Sequence, residues 1–436
     1  MSIVIPSLRA AVAVPPWSKN TLWRRARAVP TLDLRFADNK SLTDAVTGAS
    51  LVTFTRASSG TYVDSEGVIQ TALTNVPRFD HNPVTGESLG LLVEEARTNS
   101  IRNNTMVGAV AGTPGTAPTN WILPTATGNI STVSIIGTGS EDGIVYSDIR
   151  VATTGAVNAN IQFEYGVPAS NGQTWTGSSY VKLVGGSLSN ITTQIRVEED
   201  DSGGAFLGTT DTTFVPTTAN LITQRYSSTR TNNNASAGQE RITIRLAFSG
   251  AGDITLRIGL PQLEQGAFAT SVILTTTAAV TRSADVASIT GTAFSGFYNQ
   301  SEGTVFLGVA SSNVTSGRIL QIGDGTSNNR QDLLFTSGPV NYFMINGGSS
   351  QTNMTTFNSA TTGQLANIAA GYETNNVAVV LNSGSLVTDD AATLPTVDQV
   401  GIGRRLDTSA YLNGTIRRLT FWPQRLANIT LQQITQ

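Results

Sequence analysis

The chain lacks cysteine altogether and contains a single histidine in 436 residues. Disulfides, cysteine nucleophiles and zinc sites built from several Cys or His ligands are therefore excluded. Charged residues are 13% of the chain, against roughly 25% in typical globular domains. A net charge of −3 offers no electrostatic reason for binding nucleic acid, so none is expected as a partner.

Long apolar runs are also missing, which predicts no membrane insertion because a spanning helix needs roughly 18 apolar residues. The opening residues do not form a secretion signal, since the apolar run at 10–14 is short and ends at Pro15 and Pro16. We therefore expect a protein that is made in the cytoplasm and released from the cell by lysis.

Short alternating strands separated by Gly, Asn and Ser turns dominate what is present. Residues 241–248 place Ile242, Ile244, Leu246 and Phe248 on one face of a strand. Many short strands with such turns are typical of antiparallel sandwiches. The sequence predicts an all-β fold of tandem antiparallel β-sandwich or jelly-roll domains behind an extended N-terminal arm.

Residues 1–30 differ from the rest because they are basic and interrupted by proline, which prevents a long helix or a central strand. Aromatic and arginine side chains are typical interface anchors. One hypothesis is an arm that docks onto another protein through these side chains; the alternative is a tail whose Trp residues pack back on the next domain. The candidate contacts are Trp17, Trp23, Arg24, Arg25 and Arg27.

Three strings carry a family resemblance. Residues 89–99 read LGLLVEEARTN, residues 261–289 begin PQLEQGAFATS, and residues 412–435 read LNGTIRRLTFWPQRLANITLQQIT. The first two resemble junction segments of bacteriophage virion proteins of the tail-fibre, spike or head-fibre type, which carry carbohydrate-binding-like jelly rolls. The third is similar to the closing hairpin and short helix of concanavalin A/laminin-G-like lectin modules.

The resemblance implies a division of the chain into four parts. These are a virion-anchoring arm (1–30), a small β-rich connector domain (31–100), a carbohydrate-binding-like β-sandwich (101–289) and a concanavalin A/laminin-G-like jelly roll (290–436).

The function implied is that of a non-enzymatic phage structural protein, a fibre, spike or decoration subunit of the virion. It would contact other virion proteins through its arm and a host-surface glycan through its lectin-like modules. A homo-oligomer is expected, with a trimer favoured, because symmetry and multivalency strengthen weak glycan contacts. The alternatives are a glycan-cleaving depolymerase of the virion and a purely structural decoration protein.

The residues give little support to catalysis. His81 is expected in a solvated turn, and no Gly-x-Ser-x-Gly nucleophile motif occurs. Glycosidases need two carboxylates across a cleft, and the acidic string at 198–201 lacks the final Glu of the lectin-like glucanase motif. We interpret that string as an acidic hairpin tip. Glu94 and Glu95 should point to opposite strand faces and serve in ion pairs with Arg97 or Arg102.

Two kinds of ligand site remain as predictions. Oxygen-rich turns are candidate calcium sites, with Asp200, Asp201 and Asp324 as the carboxylate ligands. Glycan binding needs aromatic rings that stack on sugars. Trp175 and Tyr180 differ by an odd number of residues, so they should face opposite sides of one strand, with at least one in the core. The glycan-binding candidates are Trp121, Trp175, Tyr180, Tyr298, Tyr342 and Tyr411.

Overall fold

A computed structural model describes residues 20–436, and strands account for 51% of the structure against 6% for helices. The predicted all-β class is confirmed. Among the helices of residues 20–436, none combines the length and the apolar composition that a bilayer crossing requires.

Residues 20–99 form short elements, none longer than six residues. They are α1 (Thr21–Ala26), β1 (Leu32–Leu34), α2 (Phe36–Asn39), β2 (Thr53–Thr55), β3 (Gly60–Val63), β4 (Ile69–Ala72), β5 (Phe79–His81), β6 (Ser88–Val93) and β7 (Arg97–Asn99). Apart from the β3–β4 and β5–β6 pairings, these strands pair with segments far along the chain.

The middle of the chain forms nine longer strands. They are β8 (Ile130–Glu141), β9 (Ile144–Thr153), β10 (Val157–Pro168), β11 (Thr174–Gly186), β12 (Ile191–Asp201), β13 (Phe206–Phe214), β14 (Arg225–Thr231), β15 (Ala237–Phe248) and β16 (Gly252–Gln265). They make a four-stranded sheet (β10-β15-β12-β13) and a five-stranded sheet (β14-β11-β16-β9-β8) around one hydrophobic core. We call this unit the inserted sandwich.

The remainder of the chain is also mostly strand. Its elements are β17 (Val280–Arg282), β18 (Val286–Thr290), α3 (Gly291–Ser295), β19 (Glu302–Ser311), β20 (Arg318–Gly323), β21 (Arg330–Phe335), β22 (Pro339–Asn346), β23 (Ser349–Ser359), β24 (Ala366–Glu373), β25 (Val377–Leu381), β26 (Val387–Asp389), β27 (Gln399–Ile402), β28 (Gly414–Trp422) and α4 (Asn428–Ile434). Helix α4 begins after Ala427 as its N-cap residue.

A second sandwich combines both ends of the chain. Its eight-stranded sheet has the order β26-β25-β24-β19-β28-β6-β5 with β1 also on β28, and its seven-stranded sheet has the order β2-β18-β27-β20-β21-β22-β23. Leu92 pairs with Thr415, and Phe54 pairs with Ala287. We call this unit the composite sandwich.

The predicted division of the chain into four parts stays a prediction, but the composite sandwich includes strands from more than one of these parts. Strands β1, β2, β5 and β6 lie within residues 31–100, for which a connector domain was predicted, yet they belong to the sheets of the composite sandwich. Strand β18, at the predicted 289/290 boundary, lies there as well. Strands of three to six residues cannot bury a core alone, so they complete a sheet formed by distant segments.

The chain therefore leaves the composite sandwich, forms the inserted sandwich, and then returns to the composite sandwich. The two crossing segments pair as an antiparallel ribbon, β7 with β17, in which Arg97 lies opposite Arg282 and Asn99 opposite Val280. We call this ribbon the neck. The strings at 89–99 and 261–289, which resemble junction segments, form its two legs.

Candidate functional site

Among the places where polar side chains converge are the neck and the outer face of the four-stranded sheet. At the neck, Asp285 accepts from Arg56 at 3.0 Å and is also bonded to Arg78. Glu94 contacts Arg78 at 2.9 Å and Arg282 at 3.4 Å. All five side chains are buried. Burial raises the pKa of Glu94, but Arg282 and Arg78, with hydrogen bonds from Ser271, overcome it and hold the pKa at about 2.

The rest of the LLVEEARTN string also fastens the neck. The Arg97 side chain contacts Glu95 at 2.5 Å, which confirms the predicted ion pair, while Arg102 pairs instead with Glu164. The Asn99 side chain donates to the Ile273 carbonyl at 3.0 Å and accepts from the Leu263 amide at 3.1 Å. The charged groups of the neck are paired with one another. They are therefore suited to holding the two crossing segments together and not to acid–base chemistry.

The outer face of the four-stranded sheet is polar across all four strands. One row of cross-strand neighbours runs Gln162, Thr243, Arg196, Asp211, and the next runs Asn160, Arg245, Gln194, Thr213. Arg196 binds Asp211 through two hydrogen bonds of 2.7 and 2.8 Å. Amide, guanidinium and carboxylate groups are the partners that sugar hydroxyls require. We call this surface the open face.

Two exposed aromatic side chains stand at one end of the open face. Tyr165 on β10 is 54% exposed, and Phe206 on β13 is 59% exposed. Between them, Arg241 on β15 donates to Asp200 at 2.7 Å and contacts Glu198 at 3.1 Å. The register places Tyr165 next to Arg241, and Phe206 opposite Asp200. This row therefore combines aromatic surfaces with a charged hydrogen-bonding centre.

Electrostatics differ along the open face. Burial raises the pKa of Glu198 and of Asp200, against the opposing pull of Arg241. Hydrogen bonds from Arg196 lower the pKa of Asp211. Arginine side chains only donate hydrogen bonds, so the face presents donors beside the carboxylate and amide acceptors.

The predicted glycan-binding aromatics lie elsewhere. Trp121 packs on Phe163 at 4.6 Å between ring centroids and donates to the Asn103 carbonyl. Trp175 and Tyr180 do face opposite sides of β11, and both are buried. Trp175 lies in the core between the two sheets, whereas Tyr180 packs on the outer side with Ile144 and Leu221, beside Val63 of β3 and Ile69 of β4. The other candidates, Tyr298, Tyr342 and Tyr411, pack in the composite core. The structure thus offers none of these rings as an open stacking surface.

Other predicted residues are also used within the chain. His81 is buried, 5% exposed, with Nδ1 3.0 Å from the Val63 carbonyl, which corrects the expectation of a solvated turn. It is buried because β5 lies beside β6 in the composite sheet. Asp201 and Asp324 accept hydrogen bonds within their own turns. Within residues 20–436, no three Asp, Glu or His side chains converge as a metal site.

The predicted anchoring residues divide into three groups. Trp17 lies outside the described residues. Trp23 is buried against Trp422 and its neighbours and donates to Asp33 at 3.0 Å, so it packs back on its own chain as the alternative hypothesis expected. Arg25 bonds the Gln436 carbonyl, while Arg24 and Arg27 are exposed.

Tyr165 and Phe206 were missed by sequence reasoning. Tyr165 follows Phe163 by two residues, so simple alternation would place both on one face. A β-bulge between Gln162 and Glu164 shifts the register and turns Tyr165 outward. Phe206 follows a Gly-Gly turn with no alternation to mark its direction.

Comparisons with known proteins were made by sequence and by structure. No protein-family model matches the chain, and no curated protein matches it. Among solved structures, domain 4 of AbnA, a GH43 extracellular arabinanase from Geobacillus stearothermophilus, is 16% identical, with a TM-score of 0.29 over 35% of this chain and 73% of that one.

Two further structures show the same level of likeness. A CBM4 structure is 16% identical, with a TM-score of 0.27 over 38% of this chain and 100% of that one. Mouse laminin α1 domains LG4-5 are 11% identical, with a TM-score of 0.24 over 62% of this chain and 87% of that one. These neighbours are carbohydrate-binding and lectin-like jelly-roll domains.

Proposed function

We propose that this protein is a non-enzymatic structural component of a phage particle that attaches to a host-surface glycan through the open face. The observation that carries the glycan claim is the diagonal group Tyr165, Arg241, Asp200 and Phe206, in which two exposed rings flank a charged pair. Exposed large aromatics beside convergent polar groups are the features that bind sugar rings and their hydroxyls.

The size of this group defines the ligand class. Tyr165 and Phe206 stand on the two outer strands of a four-stranded sheet, at least three strand spacings or about 14 Å apart. A single sugar ring cannot reach both, so the ligand is an oligosaccharide that lies across the strands. The polar rows beside it supply donors and acceptors along its length.

The virion role is supported by the resemblance of the three strings, and by the use that the structure makes of two of them. Residues 89–99 and 261–289 form the neck that carries the inserted sandwich away from its host unit. Because Trp23 and Arg25 are engaged within the chain, attachment to other virion proteins falls to residues 1–19, including Trp17, with Arg24 and Arg27 beside them. A homotrimer would multiply weak glycan contacts.

A glycan array, followed by calorimetry on the best oligosaccharide, tests the binding claim. Tyr165→Ala and Phe206→Ala should each weaken binding about 10-fold, since a lost stacking contact costs about 1–3 kcal/mol in comparable ring stacking. The matched control is Phe357→Ala, which removes an equally exposed ring, 73% exposed, from β23 of the composite sandwich. Equal binding by all three variants would contradict the claim that the glycan binds at the open face.

A glycan-cleaving enzyme is the second candidate, and one observation favours it. Glu198 and Asp200 are two apart on one face of β12 and both contact Arg241, at 3.1 and 2.6 Å, so two carboxylates stand side by side on an exposed sheet, and glycosidases use such a pair. Reducing-end release from host polysaccharide separates the functions. We expect none; release that is lost in Glu198→Gln and Asp200→Asn would replace attachment by cleavage.

Particle assembly tests the structural claim separately. Deleting residues 1–19 should leave a folded protein that no longer joins the particle, because residues 20–436 supply the cores of both sandwiches. Incorporation at the normal level would contradict the anchoring role without touching the glycan claim. Mass photometry of the intact chain tests the trimer, and a stable monomer would contradict it.

A further inference from the structure

A cleft of 270 Å³ lies where the inserted sandwich, the β3–β4 hairpin and the composite sandwich meet. The inserted sandwich contributes Tyr180 and Arg225, the hairpin contributes Thr61 and its neighbours, and the composite sandwich contributes Ser312 and Thr415. We call it the junction cleft. It exists only when all three parts are docked.

Most polar groups in the wall of the junction cleft are already satisfied. The Glu94 carboxylate is held by two arginines and by Ser271, and the Thr270 hydroxyl donates to Glu264. The Thr61 hydroxyl donates to the Val272 carbonyl. These groups define the shape of the cleft, and their hydrogen-bonding atoms are already occupied by partners within the protein.

Three side chains in the same wall keep unused hydrogen-bonding atoms within residues 20–436. Asp80 accepts from the Val63 amide, through Oδ1 at 2.7 Å, and also from the His81 amide, which leaves part of the accepting capacity of its carboxylate unused. The Tyr180 hydroxyl makes no hydrogen bond, although the ring is only 5% exposed. The Nε of Arg225 is buried without an acceptor, while its other nitrogens bind Thr270 and Ser178.

Asp80, Tyr180 and Arg225, each with an unused hydrogen-bonding atom, thus line one small cleft. Asp80 and Arg225 carry opposite charges, and the third charged wall residue, Glu94, is neutralised by the neck arginines. The cleft therefore has no net charge to attract an ion. Leu89, Leu92 and Ile69 add an apolar wall on which the C–H groups of a sugar can rest.

We propose that the junction cleft is a second binding site, for one uncharged sugar residue or a small polyol, and that its occupant ties the three parts together. This inference shares the ligand class of the proposed function but none of the residues of the open face. Because the wall comes from three parts, an occupant that binds only the docked arrangement stabilises that arrangement by mass action.

Saturation-transfer NMR and thermal unfolding of the intact chain, with glucose, galactose, N-acetylglucosamine and glycerol as probes, test the proposal. We expect at least one probe to bind saturably and to raise the unfolding temperature. Tyr180→Phe removes a hydroxyl but no packing, and Asp80→Asn keeps the shape of the side chain. Tyr180→Phe should raise the Kd about 3- to 10-fold, the effect of one neutral hydrogen bond, and Asp80→Asn, which removes a charged acceptor, should raise it about 10-fold or more.

Phe357→Ala is the matched control, because it alters neither the junction cleft nor the open face, while Tyr165→Ala reports separately on any probe that binds at the open face. Loss of binding in the cleft variants, with Phe357→Ala unchanged, supports the junction cleft whatever the fate of the open face. The proposal is overturned if no probe binds saturably. It is also overturned if binding survives Tyr180→Phe and Asp80→Asn but disappears in Tyr165→Ala.

Discussion

The inserted sandwich leaves the outer face of its four-stranded sheet open, whereas the composite sandwich covers its eight-stranded sheet with α1 and α4. The covered surface is apolar, formed by Phe306, Ala369, Val380 and Trp422, and the helices bury Trp23 and Leu431 against it. The open face carries Arg, Asp, Gln and Asn instead. The apolar face of the eight-stranded sheet is therefore covered by helices, whereas the polar face of the four-stranded sheet remains accessible to a ligand.

The two units also differ in how the chain builds them. All nine strands of the inserted sandwich come from one continuous segment, residues 130–265. The composite sandwich needs strands from residues 32–93 and from residues 286–422, separated by the whole of the inserted sandwich. The first can form from nearby pairings, while the second must close a loop of more than a hundred residues, which slows folding.

Cutting the chain should therefore separate the two units most sharply. We expect residues 100–279 to fold alone with a cooperative transition, because both sheets and their core are complete within that segment. Residues 286–436 alone should stay unfolded, since they lack β1, β2, β5 and β6, including the fully buried Leu34, Leu91 and Val93. Circular dichroism and urea unfolding of both pieces decide this.

Co-expression of residues 20–99 with residues 286–436 is the control for that experiment. It should restore the composite sandwich in part, since the missing strands are then available. If residues 286–436 unfold cooperatively without help, the two units do not differ in the way that their strand order indicates.

The neck should be the most sensitive point between them. Asp285→Asn leaves three buried arginines facing Glu94 alone, and removing one partner from a buried ion cluster costs about 3–5 kcal/mol. Asp253→Asn is the matched control, because Asp253 pairs with Arg150 on the surface of the inserted sandwich. Exposed pairs contribute little, so no change in the free energy of unfolding should be resolved there. Similar urea midpoints for the two variants would contradict a structural role for the cluster.

Sequence reasoning located the inserted sandwich better than the composite one, and the reason is physical. Alternation within 241–248 predicted the inward residues of β15 correctly, and Ile242, Ile244, Leu246 and Phe248 are all buried. Strands of three residues, such as β1 and β2, are too short to show alternation. Their partners lie hundreds of residues away, so nothing local marks the pairing.

The site was harder to predict than the fold for a related reason. Large aromatic side chains were natural candidates for sugar binding, but size alone does not distinguish a core ring from a surface ring. Trp121 and Trp175 are enclosed by strands that local sequence does not place. The β-bulge that exposes Tyr165 depends on pairing with β15, which appears only in the folded sheet.

Titration should move the stability of the two units in opposite directions. In the inserted sandwich, Glu240 points inward opposite Glu199, and both of its oxygens are buried without a partner, as is Asn232 Oδ1. Burial raises the pKa of Glu240 from 4.5 to about 8. The folded state then keeps a proton that the unfolded state loses, so stability falls as pH rises between 4.5 and about 8, by up to about 1.4 kcal/mol per unit.

Glu240→Gln should abolish that decline, because the amide stays neutral and can donate to Asn232. At the neck the sign is reversed. The pKa of Glu94 is lowered to about 2, so its contribution is present above 4.5 and is lost as pH falls towards 2. Urea unfolding across this range, with Glu240→Gln beside the natural chain, measures both slopes. If the free energy of unfolding of the natural chain does not change between pH 4.5 and about 8, Glu240 is ionised in the folded state.

The smallest effect should come from the helix that seals the composite sandwich. Asn20 caps α1 by accepting from the Leu22 amide at 2.9 Å, and losing such a cap costs about 1 kcal/mol. Asn20→Ala should therefore fray α1 and raise the hydrogen exchange of the Trp23 indole while both sandwiches stay folded, whereas Asn20→Ser should keep the cap. The open face has no helix to lose, so glycan binding there should be the same in both variants. Cooperative loss of the composite sandwich on Asn20→Ala would mean that α1 is part of its core and not only a cover.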